Sequence, residues 1–268
     1  MKTHYVMPIC PPSTNAPSQQ GISQMIPILP DIEGWKNVPI EECSEELISL
    51  SDFGCERIKV SPIYYSAGLR GSLPVAYLRK GVVKKLAEAA GILPDGLHFV
   101  VWDAWRPLDV QEVLYERALE KCRQQHPHLG EAELAELAEK FAARPSENPC
   151  APYPHSTGGG LDLTLANDKG NLLEMGSKHD SISPVSVTRF YEAKLEHEQV
   201  LSRNEQLALW NRRILFHALN LAGFTNYPGE WWHFDFGDQL WAIQNHAIAR
   251  YGKASLENRE INLKDVPL

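Results

Sequence analysis

The chain has 268 residues, 43% of them hydrophobic and 22% charged, and a formal net charge of −8. Such a length buries a full core in one large domain or two small ones, and the composition is that of a soluble globular protein. The acidic balance, with no Lys/Arg block, excludes nucleic acid as the main partner, and no apolar run approaches the ~20 residues that span a bilayer.

The opening Met1-Lys2-Thr3-His4-Tyr5 lacks the basic-then-apolar layout of a secretory signal, so a cytoplasmic setting is expected. Cys10, Cys43, Cys55, Cys122 and Cys150 are scattered, odd in number and without a Cys-x-x-Cys pair, which predicts free thiols. Residues 1–30, rich in Pro, Ser, Gln and Asn, read as a flexible arm ahead of a single domain over 31–268.

Glu41 to Leu47 is acidic and predicts surface, and Val60 to Leu78 reads as short strands and loops. From Gly81 to Leu93, Val82, Leu86, Ala89 and Ala90 share one helical face. Leu97 to Trp102 is β-prone throughout and predicts a central strand. Pro107 opens a helix running to about Gln125, because proline suits a first turn. After the break at Leu129-Gly130, Glu131 to Ala143 resumes the helical period. Leu161 to Leu165 alternates apolar and polar, as a half-buried strand does. Asn167-Asp168-Lys169-Gly170-Asn171 is a hairpin turn signal.

Residues 181–203 are polar and irregular and predict a surface insertion with one helical turn. Asn204 to Gly223 predicts a helix with an apolar stripe of Leu207, Trp210, Ile214, Ala218 and Leu221, widened by Leu215. Trp231 to Phe236 predicts a strand returning beside the first, and Gln239 to Tyr251 a closing helix. The order of elements implies an α+β fold, a mostly antiparallel sheet flanked by helices.

The chemistry concentrates in two stretches. His155-Ser156-Thr157-Gly158-Gly159-Gly160-Leu161-Asp162 sets an imidazole and a carboxylate on either side of a turn that glycine makes pliable. Both donors suit zinc or a similar divalent ion. The third ligand is expected at His233, in Gly229-Glu230-Trp231-Trp232-His233-Phe234. A lone loop histidine is more often a bland polar group, but the glycine turn and a second histidine beside a glutamate reverse those odds. Glu230 is placed to take a proton from water and pass it to a leaving amine. Its alternative is a surface glutamate ahead of a buried strand. Arg106, at the junction of a strand and a helix, is placed to stabilise an oxyanion, the bland alternative being a structural pair with Asp103.

Trp102-Asp103-Ala104-Trp105-Arg106-Pro107, the His155–Asp162 turn with Thr164, and Glu230-Trp-Trp-His233 together resemble the D-alanyl-D-alanine dipeptidase family, over roughly residues 60–250. Those enzymes are zinc peptidases related to D,D-carboxypeptidases and, in fold, to the hedgehog signalling domain. The resemblance implies one zinc held by His155, Asp162 and His233. It also implies Glu230 as general base and acid, Arg106 against the tetrahedral intermediate, and a small dipeptide as substrate. Met175-Gly176-Ser177-Lys178-His179-Asp180 is similar to the family's Met-Gly-x-x-x-Asp segment, which implies that Asp180 pairs with the substrate's ammonium group. Tyr153 stands where members often carry Ser, and His179 where an apolar aromatic is usual. Two other readings stay open: a D,D- or L,D-carboxypeptidase on peptidoglycan peptides, and a hedgehog-like metal domain that binds without catalysis.

Overall fold

In a computed structural model that describes residues 22–256, the chain runs through seven strands and nine α-helices among those residues. In chain order these are β1 (Leu47–Ser49), α1 (Leu50–Phe53), β2 (Ile58–Val60), α2 (Ile63–Ser66), β3 (Tyr77–Arg79), α3 (Lys80–Ile92) and β4 (Leu97–Asp103). Then come α4 (Leu108–Gln125), α5 (Glu131–Glu139), α6 (Pro154–Thr157), β5 (Gly160–Asn167) and α7 (Phe190–Glu196). The chain closes with α8 (Arg203–Leu221), β6 (Thr225–Asn226), β7 (His233–Asp235) and α9 (Gln239–Gln244).

The main sheet has the order β2-β4-β5-β7-β6, and β1 pairs with β3 in a separate two-stranded sheet. Within the main sheet β2 runs parallel to β4, and the other neighbours are antiparallel. Leu161, Leu163 and Leu165 of β5 and Phe99 and Val101 of β4 are fully buried in one core with α3 and α8. Alternation along a strand then sends Asp162 and Thr164 to the opposite face. That face is covered too: β5 is buried almost to its end, where its pattern had predicted a half-exposed strand. Asp162 lines a cavity on that face, and Thr164 is buried there as well. Between Val101 and Asp103 the β4–β5 register slips, so that Asp103 comes opposite Asp162. Such a bulge re-aims side chains at a strand end.

Several boundaries moved for local reasons. Pro107 stands one residue outside α4, as its N-cap. α5 stops at Glu139, and the chain leaves helical geometry before Ala143. β7 begins at His233, because Trp231 turns aside to bond the Ser186 carbonyl. The closing helix ends at Gln244, where His246 takes a left-handed φ of 51°. The turn at 167–171 forms as its sequence predicts, with the Asn167 side chain accepting the Lys169 and Asn171 amides.

The largest correction concerns α8. Trp210 and Leu221 are exposed, at 39% and 60%, although the apolar stripe had placed them inside. The buried face keeps Ile214, Leu215 and Ala218 of that stripe and otherwise runs through Ala208, Arg212 and Leu219. Arg212 is buried because its guanidinium donates to the carbonyls of Met175, Val185 and Val187. Arg213 forms a two-pronged bond with the buried carboxylate of Glu192. Hydropathy assigns both arginines to water; their hydrogen bonds keep them in the core.

Of the expected arm over 1–30, residues 1–21 lie outside the described residues. Ile22 and Ile26 are fully buried, and the Ile26 amide donates to Glu192. Cys43, Cys55, Cys122 and Cys150 are free thiols; Cys10 lies outside the described residues. No helix among the described residues is long and apolar enough to cross a membrane.

Candidate active site

His155 lies in the single turn of α6, which Pro154 opens and Gly158 closes at a φ of +71°. A left-handed residue at this position favours glycine. Gly159 has a different reason: a Cβ there would stand 2.7 Å from the Phe236 carbonyl oxygen. The turn therefore lies flat against the segment after β7 and delivers the chain into β5. Asp162 then pairs directly across the sheet with His233.

This brings one donor atom each from His155, Asp162 and His233 within 4.8 Å of one another, all three residues being buried. His233 Nδ1 lies 3.0 Å and His155 Nε2 3.5 Å from Asp162 Oδ1. On His155 the outer ring nitrogen fixes which atom is free. His155 Nδ1 is 2.7 Å from the Ala104 carbonyl, which can only accept, so Nδ1 carries the proton and Nε2 faces inward. His233 lies between two carboxylates, with Nε2 2.9 Å from Asp235 Oδ1 and Nδ1 turned to Asp162 Oδ1. Two imidazoles and a carboxylate, each histidine oriented by an acceptor behind it, make a donor set that fits a divalent cation.

The electrostatics agree. Burial works to raise the Asp162 carboxyl, yet His155 and the bonds from His179 and His233 hold it well below the usual range. Burial opposes charge on His233, and Asp235 and Asp162 overcome it, pushing that imidazole well above its ordinary value. A cation bound among these groups takes over the charge the imidazole proton carries without it.

Glu230 stands in the turn between β6 and β7, three residues before His233, and faces the same cavity. Its carboxyl is pushed up to about 8, first by burial; the nearby Asp162 and Asp180 add to this, against His233 and His179. Among the described residues its side chain makes no hydrogen bond or ion pair, so it is free to exchange a proton.

Arg106 is buried in the segment between β4 and α4. It pairs with Asp103, Nε donating at 2.7 Å, and it also lines the cavity. Nη1 donates to Gln111 at 2.7 Å, and Nη2 reaches Asp162 Oδ2 at 3.4 Å. Burial tends to lower its pKa, but Asp103, Tyr64 and Asp162 raise it, so it stays charged. Asp180 lies on the cavity wall at a φ of 55°, its carboxylate half-exposed and accepting the Tyr64 hydroxyl at 2.8 Å.

The cavity joining these groups has a volume of about 300 Å³. It runs from the His155–Asp162–His233 cluster outward between α4 and the segment after α5.

Residues 76–251 match the D-Ala-D-Ala dipeptidase family of peptidases, M15. The chain belongs to that family. It is accordingly an enzyme of the metallopeptidase class. The D-alanyl-D-alanine dipeptidase of Synechocystis is 34% identical over 235 residues, covering 81% of this chain and 94% of the relative. The Enterococcus faecalis protein of that name is 29% identical over 60% of this chain and 73% of its own. For the Escherichia coli protein the figures are 25%, 59% and 65%.

The two departures from the family pattern now have positions. Tyr153 does not line the cavity; it is buried beneath it, its hydroxyl donating to the Arg106 carbonyl at 2.8 Å. His179 sits against the metal-type cluster, with Nε2 3.2 Å from Asp162 Oδ2 and Trp102, Trp232 and Tyr64 around its ring. Burial opposes its charge, but Asp180 and Asp162 push it up to about 9. Sequence reasoning had not placed His179, Gln111, Tyr64 or Asp235 at the site. Asp235 had a usable signal: two residues beyond His233 in a strand, it shares that residue's face. The others come from segments whose approach no local pattern encodes.

Proposed function

We propose that the chain is a zinc-dependent dipeptidase, with residues 31–268 as its peptidase domain, that hydrolyses D-Ala-D-Ala or a related dipeptide containing a D-residue. The observation that carries this reading is the convergence of His155, Asp162, His233 and an unpaired Glu230 on one cavity. In this reading one zinc ion, held by His155, Asp162 and His233, supplies Lewis acidity that polarises the scissile carbonyl and acidifies water. The fold is then shared with D,D-carboxypeptidases and the hedgehog domain.

The remaining work falls to side chains of this chain. Glu230, as the carboxylate, takes a proton from the attacking water and returns it to the leaving amine nitrogen. Arg106, held at fixed position by Asp103 and Gln111, presents positive charge where the carbonyl oxygen becomes negative. Asp180 accepts the substrate's ammonium group, which selects free dipeptides over chains blocked at the amino end. Asp235 and Ala104 keep the two histidine rings in the tautomers that leave Nδ1 and Nε2 free.

The test is a substrate panel: D-Ala-D-Ala, its L,L counterpart, N-acetyl-D-Ala-D-Ala, and a blocked peptide ending in D-Ala-D-Ala. The reading predicts cleavage of the first alone. Cleavage of the blocked peptides at equal or higher kcat/KM would replace it with a carboxypeptidase reading.

A further inference from the structure

The cavity is longer than the substrate assigned to it. Gln111, Leu114, Arg117, Ala118 and Lys121 of α4 all line it. Gln111 marks the inner end, where it holds Arg106. At 1.5 Å per residue, Arg117 lies about 9 Å and Lys121 about 15 Å further along the helix. A fully extended dipeptide spans about 7 Å. Lys140, just after α5, lines the cavity too, beside Phe141 and Ala142, which pack with Ala118 and Cys122 of α4.

The outer end is also different in charge. Asp162, Asp180 and Glu230 lie at the inner end, whereas Arg117, Lys121 and Lys140 lie at the outer one. None of the three cations makes an ion pair or a side-chain hydrogen bond among the described residues. Further along α4, Arg123 pairs with Glu120 at 2.8 Å and with Glu131 at 2.9 Å. The carboxylate at the outer end, Glu139, is already held by Lys36 and Arg144. Between the two ends the wall is apolar, with Phe141, Ala142 and Ile182 facing α4. Unpaired charges of one sign at the mouth of a low-dielectric groove focus their field into it, even on a protein of net charge −8.

Resting on the dipeptidase reading, we infer that Arg117, Lys121 and Lys140 form an anion subsite for the leaving half of the substrate. The preferred substrate then carries a second carboxylate there, on the side chain of its C-terminal residue. With the ammonium group at Asp180 and the scissile bond at the metal-type cluster, the C-terminal residue points outward. An acidic side chain, met by long cationic ones, closes the distance that a dipeptide backbone leaves.

The experiment compares D-Ala-D-Glu with its neutral isostere D-Ala-D-Gln and with D-Ala-D-Ala, using the full zinc-loaded chain. The expected result is a KM about tenfold lower for D-Ala-D-Glu than for D-Ala-D-Gln at low salt, shrinking as salt is added. The combined variant R117A/K121A/K140A removes that difference and leaves kcat on D-Ala-D-Ala unchanged. Equal KM values for the acidic and neutral substrates, or a preference that survives in the variant, would overturn the subsite. If no dipeptide is cleaved, the reaction reading fails separately, and the subsite is judged by calorimetry with D-Ala-D-Glu and D-Ala-D-Gln. Tighter binding of the acidic dipeptide, lost in R117A/K121A/K140A, supports it, and equal binding rejects it.

Discussion

His179 Nε2 lies 3.2 Å from Oδ2 of Asp162, while Oδ1 of the same carboxylate faces His155 and His233. One oxygen is thus turned to the metal-type cluster, and the other is held from behind by an imidazole packed among Trp102, Trp232 and Tyr64. This arrangement fixes the carboxylate plane. Replacing His179 by Phe keeps the aromatic packing and removes the bond. Partners of this kind contribute about 10- to 100-fold to metal affinity. H179F is therefore expected to bind zinc at least about tenfold more weakly in competition with a chelating dye. Unaltered affinity would show that the bond orients nothing.

Glu230 gives a prediction with a sign. Its carboxyl is pushed up from an ordinary 4.5 to about 8 without metal, chiefly by burial. Between those values the folded state holds a proton that the unfolded state has released, so stability falls as pH rises through that window. Metal-free wild type is expected to lose melting temperature from pH 5 to 8 relative to E230Q, whose amide does not titrate. With zinc bound, E230Q is expected to keep its metal and lose roughly 10²- to 10⁴-fold in kcat. Parallel melting curves across the window, or an active E230Q, would contradict the role.

Asp180 is expected to act on binding more than on turnover. D180N retains a hydrogen-bonding side chain but loses the charge that meets an ammonium group. An increase of about tenfold in KM for free dipeptides is expected, about 1.4 kcal/mol, with a smaller change in kcat. N-acetyl-D-Ala-D-Ala is expected to stay uncleaved by D180N as by the wild type.

Glu192 and Arg213 make a prediction about stability alone. The pair is buried, with bonds of 2.7 and 2.6 Å, and Glu192 also accepts the Ile26 amide. Glu192→Ala strands Arg213 and is expected to cost about 3–5 kcal/mol in denaturant unfolding. Replacing both by Met should recover much of that loss. A cost below about 1 kcal/mol for Glu192→Ala would mean that Arg213 finds water.

The site was far more legible than the packing around it. His155, Asp162, Glu230 and His233 sit in short segments where glycine, donor type and spacing act locally. His179 was visible as an oddity next to Asp180, but its approach to Asp162 depends on how residues 175–180 cross the sheet, which no periodicity reports. Arg212 and Arg213 misled the reading of α8 because hydropathy counts a guanidinium as exposed, whereas carbonyls and Glu192 satisfy it inside. The parallel pairing of β2 with β4 joins segments about 40 residues apart, Ile58 facing Phe99. Alternation along a strand shows which residues share a face but not which strand lies alongside.

The most direct test of the account is release of free D-alanine from D-Ala-D-Ala by the purified chain, as isolated, after chelation, and after return of zinc. The account predicts release that chelation abolishes and zinc restores, with none from H155A or H233A under any condition. Release that persists in the chelated protein, or in either histidine variant, would contradict a reaction centred on His155, Asp162 and His233.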